Sequence, residues 1–221
     1  MTATGAGARR TPPGRAGRLR LRHSLDVAVR GADLLEQKLR ILRGEHQRLL
    51  RAEEEAARAW RAVLPDAETW LLRGLLLGGQ RALDSAAAGI GPAETDIRWT
   101  SSMGVRYASA VSIAVPRRGP AAPTPGNTAL VHAEAAYRRA LRAAGEYAAA
   151  HAAAELIGAE VISTRRRVRA LRRHWIPRLR DALTAADLAL EQSEHEDAVR
   201  RRWAAGRVPA PGGGSPAADP S

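Results

Sequence analysis

The sequence predicts an all-α-dominated fold: a long antiparallel two-helix coiled coil with a small mid-chain helical and β-hairpin insertion and disordered termini. Leu21, Leu25, Ala28, Ala32, Leu35, Leu39 and Leu42 recur at alternating spacings of four and three. Ile157, Val161, Thr164, Val168, Leu171 and Trp175 repeat that spacing far downstream. A seam of this period needs a partner helix, and the nearest partner is the other seam. Composition agrees: there is no Phe, aromatics are 4% of 221 residues, and Ala supplies much of the apolar count. Alanine favours helix and close helix approach while burying little area, which suits a thin two-helix core.

Taken in order, residues 1–14 are rich in Gly, Ala, Thr and Pro and read as a disordered basic N-terminus. A first coiled-coil helix is expected over 15–78, its seam running on through His46, Leu49, Glu53, Ala56, Trp60 and Val63. Pro65 should kink it, because proline lacks an N–H donor and crowds the preceding turn. Gly78-Gly79 ends it. The connecting region, 79–127, begins with a short helix near Gln80–Ala88. Asp96–Thr100 and Val111–Val115 then alternate with β-leaning residues and read as a hairpin across a Ser/Gly-containing stretch. Pro116 to Gly126 holds four prolines and is a loop. Asn127 or Thr128 caps a second coiled-coil helix over 128–205, about 110 Å at about 1.5 Å per residue. Ile157, Val168, Leu179 and Leu190 stand eleven apart, a period that favours a straight or right-handed wrap, so supercoiling should not be uniform. Residues 206–221 read as a disordered tail.

The chemistry of an enzyme is missing. There is no G-x-x-x-x-G-K-[ST] phosphate loop, no elbow motif around a serine, and no repeated E-x-x-H of a di-iron bundle. The histidines are scattered. Glu191 and His195 make an i,i+4 pair that reads as a solvated helix contact, and His46 reads as a register-fixing polar position in the seam. No catalytic, cofactor-binding or metal residues are assigned. Absence of cysteine fits a reducing compartment. The most apolar run, Trp70 to Gly79, is interrupted by Arg73 and too short to span a bilayer, so the isolated chain should be soluble.

Charge says more. The net charge is +12, which invites nucleic acid, an anionic membrane or an acidic protein. Eight arginines fall between Arg165 and Arg180 without an acid. At 100° per residue Arg165, Arg166, Arg169, Arg172, Arg173 and Arg180 share one arc beside the seam, with Arg167 and Arg178 on its other flank. Together with Arg18, Arg20 and Arg22 they form the candidate partner-binding surface. The seam itself is assigned to Leu21, Leu25, Leu35, Leu39, Leu42, Val161, Val168, Leu171, Trp175 and Leu179. Placing the Trp60 indole opposite Gly158, which has no side chain, fixes a register with Leu39 near Trp175. It also sets Glu53, Glu54 and Glu55 near Arg165 to Arg167, and Asp187, Glu191, Glu194, Glu196 and Asp197 beside Arg18 to Arg30.

Ser163-Thr164-Arg165-Arg166-Arg167-Val168-Arg169-Ala170-Leu171, then Ile176-Pro177, then Leu190-Glu191-Gln192-Ser193-Glu194-His195-Glu196-Asp197 together resemble the D subunit of the V-type (V/A-type) rotary ATPases. That family shows T-R-R-V-N-A-L-E, an I-P shortly after, and L-E-x-x-E-R-E-x before a basic end. Leu19-Arg20-Leu21 and Arg30 to Leu39 are similar to its L-x-L-A-x-x-G-x-x-L-L-K-x-K. Arg169 and Arg172 depart from the family's Asn and Glu. The resemblance covers about 15–78 and 128–204, with Met103-Gly104-Val105 alone resembling it between.

The resemblance implies a non-catalytic central-stalk protein whose chain ends enter a catalytic hexamer of A and B subunits. Its other end would bind the F subunit and a cap subunit on the membrane rotor ring. Such a shaft couples ATP hydrolysis or synthesis to proton or sodium transport, as a peripheral component on the cytoplasmic side of the plasma membrane, reaching the membrane only through the complex. The hairpin would be modulatory. A basic coiled-coil scaffold or nucleic-acid-binding protein is the alternative. It is disfavoured because the arginines alternate with acidic blocks and lack aromatic stacking partners, so no nucleic acid is expected as partner.

Overall fold

The computed structural model describes residues 14–88, 90–116, 118–119 and 123–205. The expected disordered stretches, 1–14 apart from Gly14 and 206–221, lie outside the described residues. The elements are α1 (Arg15–Ala87), β1 (Glu94–Ser102), β2 (Val105–Ala114), α2 (Thr128–Ala170), a π-helical turn (Leu171–Trp175) and α3 (Ile176–Ala205). They form two units, one from residues up to Asp33 and from Arg169 onward, the other from Leu34 to Val168.

In the first unit the start of α1 pairs antiparallel with α3. Arg15 and Arg18 reach Glu194 and Asp187 at 2.8 and 2.5 Å, so one chain rises as the other descends. Ala28, Ala32 and Ile176 form its core, with Leu25, Val29, Leu171 and Leu179 packed around them. Trp175 is a correction to the expected seam: it is 52% exposed, and Ile176 is buried instead. Pro177 supplies the reason. It has no N–H to donate to the Arg173 carbonyl and its ring crowds that group. The chain widens one turn, so that the Ile176 N–H donates to the Leu171 carbonyl. The extra residue in that turn advances the helical phase by one position.

In the second unit α1 and α2 pair antiparallel. Glu53 meets His151 at 2.7 Å, Asp66 meets Arg139 at 3.1 Å, and Trp70 stacks on His132 at 4.5 Å between ring centroids. The expected register is therefore corrected. Trp60 stacks on Tyr147 at 5.4 Å, not on Gly158, and Glu53 faces His151 rather than the arginines from Arg165. The slot above Gly158 belongs to His46, whose Nε2 would stand 2.8 Å from a Cβ there. Lys38 pairs with Glu160 at 2.7 Å, which sets Leu39 near that level of α2 and not near Trp175. Buried Thr164 donates to the same carboxylate at 3.2 Å, so a polar layer lies beside the Leu42–Ile157 core.

Further along, Ala67, Ala136 and Ala140 pack with Val63, Leu64 and Tyr137. The backbone keeps helical dihedral angles through Pro65; the departure comes at Gly79, with φ 65°. Packing on both sides of Pro65 holds that turn, while Gly79 can take a left-handed angle without Cβ strain. Asn127 caps α2: its Oδ1 accepts from the Leu130 N–H at 2.9 Å, and its Nδ2 donates to the Gly74 carbonyl. Gly74 is also where α1 admits the Leu130 side chain, 2.5 Å from a hypothetical Cβ. Arg118 ties the loop down, donating to the Ala86 and Pro123 carbonyls and pairing with Glu134 at 2.7 Å.

The hairpin strands are longer than the sequence suggests and pair from Glu94↔Ala114 to Ser102↔Val105. The turn is Met103-Gly104, both with positive φ, as a two-residue type I′ turn requires. A bulge opposite Arg98/Trp99 leaves Ser109 unpaired, its hydroxyl donating to the Arg98 carbonyl. Bulges bend and twist a ribbon.

Candidate functional site

Two strands cannot hold themselves together in water, so this hairpin depends on what it docks against. Tyr107 is buried in the cluster of Leu42, Leu49, Ala153, Ala154 and Ile157, with Val105 against it. Its hydroxyl donates to the Glu45 carboxylate. Arg48 clamps the same carboxylate at 2.6 and 3.1 Å. Hydrogen bonds from Arg48 and then Tyr107 hold the Glu45 carboxyl down at about 2, while burial and the Glu45 bond push the Tyr107 phenol up. At the open end of the ribbon, Ile113 fills the space over Gly145, where a Cβ would be 2.3 Å from Cδ1. The opposite side of the hairpin stays in water, with Trp99 half exposed and Arg106 4.9 Å from its ring centroid. Sequence reasoning missed Tyr107, Glu45 and Arg48. A lone tyrosine in a stretch read as turn gives no pattern, and an i,i+3 Glu–Arg pair looks like any solvated helix face.

The predicted arginines divide between the two units. In the second, Arg165 and Arg166 are exposed, as is Arg167. In the first, Arg172 pairs with Asp33 at 2.5 Å and Arg18 with Asp187. Arg20, Arg22, Arg169, Arg173 and Arg180 are exposed. Of the assigned seam positions, Leu39 and Leu42 are buried, and Leu21, Leu25, Leu35, Val161, Val168, Leu171 and Leu179 are half-buried. Glu134 is held low by Arg118 and Arg138, and Glu160 by Lys38. His151 is raised, first by its bond to Glu53. These shifts belong to ion pairs that fasten elements together.

Among the described residues no cluster of His, Cys, Asp and Glu is placed to hold a metal ion, and no helix is long and apolar enough to cross a membrane. What the geometry offers is paired helices, a docked ribbon and charged faces. That is the class of predominantly helical proteins built from long antiparallel helix pairs with a docked β-ribbon.

The comparisons with known proteins sharpen this. The profile of the family described as the D subunit of ATP synthase matches residues 18–206. The V-type ATP synthase D subunit of Thermus thermophilus is 29% identical over 203 residues, covering 90% of this chain and 89% of the relative. That of an Anaeromyxobacter species is 31% identical over 205 residues, covering 90% and 95%. The chain belongs to the family of ATP synthase D subunits, and so to the components of V-type rotary ATPases.

Proposed function

We propose that this chain is the central rotor shaft of a V-type rotary ATPase or ATP synthase. It couples nucleotide turnover in a hexamer of A and B subunits to proton or sodium transport by a membrane ring. The observation that supports this most is the family match across both helical stretches, over nearly the whole chain. Exposed Arg20, Arg22, Arg165, Arg166, Arg169, Arg173 and Arg180 supply the polar, charged surface on which a shaft can turn without sticking. The F subunit and a cap subunit on the ring are the further partners, and the assembly sits on the cytoplasmic side of the plasma membrane. The chain itself contributes no catalytic group; the proton-transporting ATPase activity belongs to the complex.

The test is reconstitution. Purified A and B subunits from the same host should form a complex with the chain, and a bead attached to the chain should rotate when ATP is added. An immobile bead on a hydrolysing complex would overturn the assignment. Nucleotide hydrolysis by the purified chain alone would overturn its non-catalytic role.

A further inference from the structure

The α1–α2 pair of the second unit sets one histidine between two carboxylates. Nδ1 of His151 lies 2.7 Å from Glu53 of α1, and Nε2 lies 3.8 Å from Glu155, one turn further along α2. The same ring stacks on Tyr147 at 5.7 Å between centroids, and Tyr147 in turn stacks on Trp60 of α1. Two contacts therefore cross from helix to helix at this level, and His151 makes one and backs the other. The charged groups that face the imidazole are Glu53 and Glu155. Glu54 and Glu55 add acid on the α1 side, with Arg58 pairing Glu54 at 3.0 Å. Among the described residues no arginine or lysine lies within ion-pair distance of Glu53 or Glu155, and no charged residue of the hairpin pairs with any of the three. The counter-charge available to these two carboxylates is a proton on His151.

Imidazole is the side chain whose charge ordinarily changes between about pH 5 and 8. We propose that Glu53, His151 and Glu155 form a proton-operated clasp on the helix pair, closed by the imidazolium and loosened when it loses its proton. With the proton on, both ring nitrogens carry N–H, one bonded to Glu53 across the pair and the other near Glu155. The cationic ring also lies close enough to the Tyr147 face for cation–π attraction, within about 6 Å. With the proton off, Nδ1–H still donates to Glu53, but Nε2 turns a lone pair toward Glu155 and both carboxylates lose their counter-charge. The bond to Glu53 raises the imidazole above its ordinary 6.5, the charges of Glu155 and Glu53 add to this, and burial opposes it. Because the folded value lies above the unfolded one, the clasp contributes fully below 6.5 and is lost as pH rises through the folded value. It depends on contacts within the pair and not on the shaft reading.

The experiment follows histidine ring signals by NMR, and amide exchange by mass spectrometry, on the full-length chain from about pH 5 to about 9. The His151 signal, identified by its loss in His151→Gln, should titrate above 6.5, and Glu53→Gln should bring its midpoint down toward 6.5. Amide protection over 50–60 and 147–158, corrected for intrinsic exchange, should fall about two- to fivefold as the ring deprotonates, the range open to an exposed ion pair. It should stay level in His151→Gln. His195→Gln, an exposed change in the first unit, is the control and should alter neither readout. A His151 midpoint at or below 6.5, or one indifferent to Glu53→Gln, would overturn the clasp. So would an equal fall in protection in His151→Gln, which would assign the pH response to another group such as His46.

Discussion

Replacing Tyr107 by Phe removes one hydroxyl from a buried ring and leaves its packing intact. The bond lost is to an ionised carboxylate, a kind that contributes about 1.5–3 kcal/mol. Glu45 retains Arg48, and 20% of its side-chain surface is exposed, so the lower end applies, about 1.5–2 kcal/mol. This should raise the population of the undocked hairpin about 10- to 30-fold. Hydrogen-exchange mass spectrometry reads it as faster exchange over 94–114, with α1 and α2 little changed.

Acidity supplies a second handle on the same contact. Glu45 titrates in the folded chain at about 2, below its ordinary value of 4.5. Its stabilising contribution is therefore complete above about 4.5 and is lost as pH falls toward 2. The difference between natural and variant chains should be constant from pH 7 to about 5 and shrink by pH 3. Unchanged exchange over 94–114 would show that the hydroxyl bond does not hold the ribbon. A uniform rise along the helices would show that the ribbon is part of one cooperative core.

Two further outcomes follow from the packing. Gly145→Ala alone should be near neutral, because about 1 kcal/mol of helix propensity is offset by pushing Ile113 off its rotamer; on an Ile113→Ala background, where the next contact is Val111 at 3.6 Å, the same change should stabilise by about 1 kcal/mol, and a thermal double-mutant cycle showing no coupling would mean that Ile113 does not dock there. Glu53→Cys with His151→Cys should crosslink under mild oxidation while Glu53→Cys with Arg166→Cys should not, and the opposite pattern would restore the register inferred from the sequence.

The helices were legible because a repeat of three and four survives in any alanine-rich background, and the family motifs lie on those helices. The register was not. Reasoning that the largest seam side chain must face Gly158 ignored that an imidazole also fills such a slot and that an indole can stack on tyrosine. Trp175 escaped because a periodic reading assumes constant phase, whereas Pro177 forces one wider turn. The hairpin was found but shortened: Val105 to Ala110 holds Ser and Ala, weak strand formers, and reads as turn, whereas the reversal needs only Met103-Gly104. The charged surface was readable as composition. Which arginines already had a carboxylate could not be read until the helices were paired.

Alanine faces are nearly alike from one turn to the next, so a pair of them could slide by a turn at little cost. In the second unit the information against sliding sits where side chains are missing. Gly74 admits Leu130 and Gly158 admits His46, each at a distance that a methyl group would forbid or strain. A shift by one turn would bring His46 against Ala154 or Ile162, both of which carry a Cβ, and would bring Leu130 over Trp70 in one direction though over Gly78 in the other. The two gaps act as a vernier: each alone tolerates more than one offset, and together they accept one. A torsional load on the pair would then meet its resistance at two separated points rather than along the whole seam, and filling either gap should blur the setting without dissolving the helices.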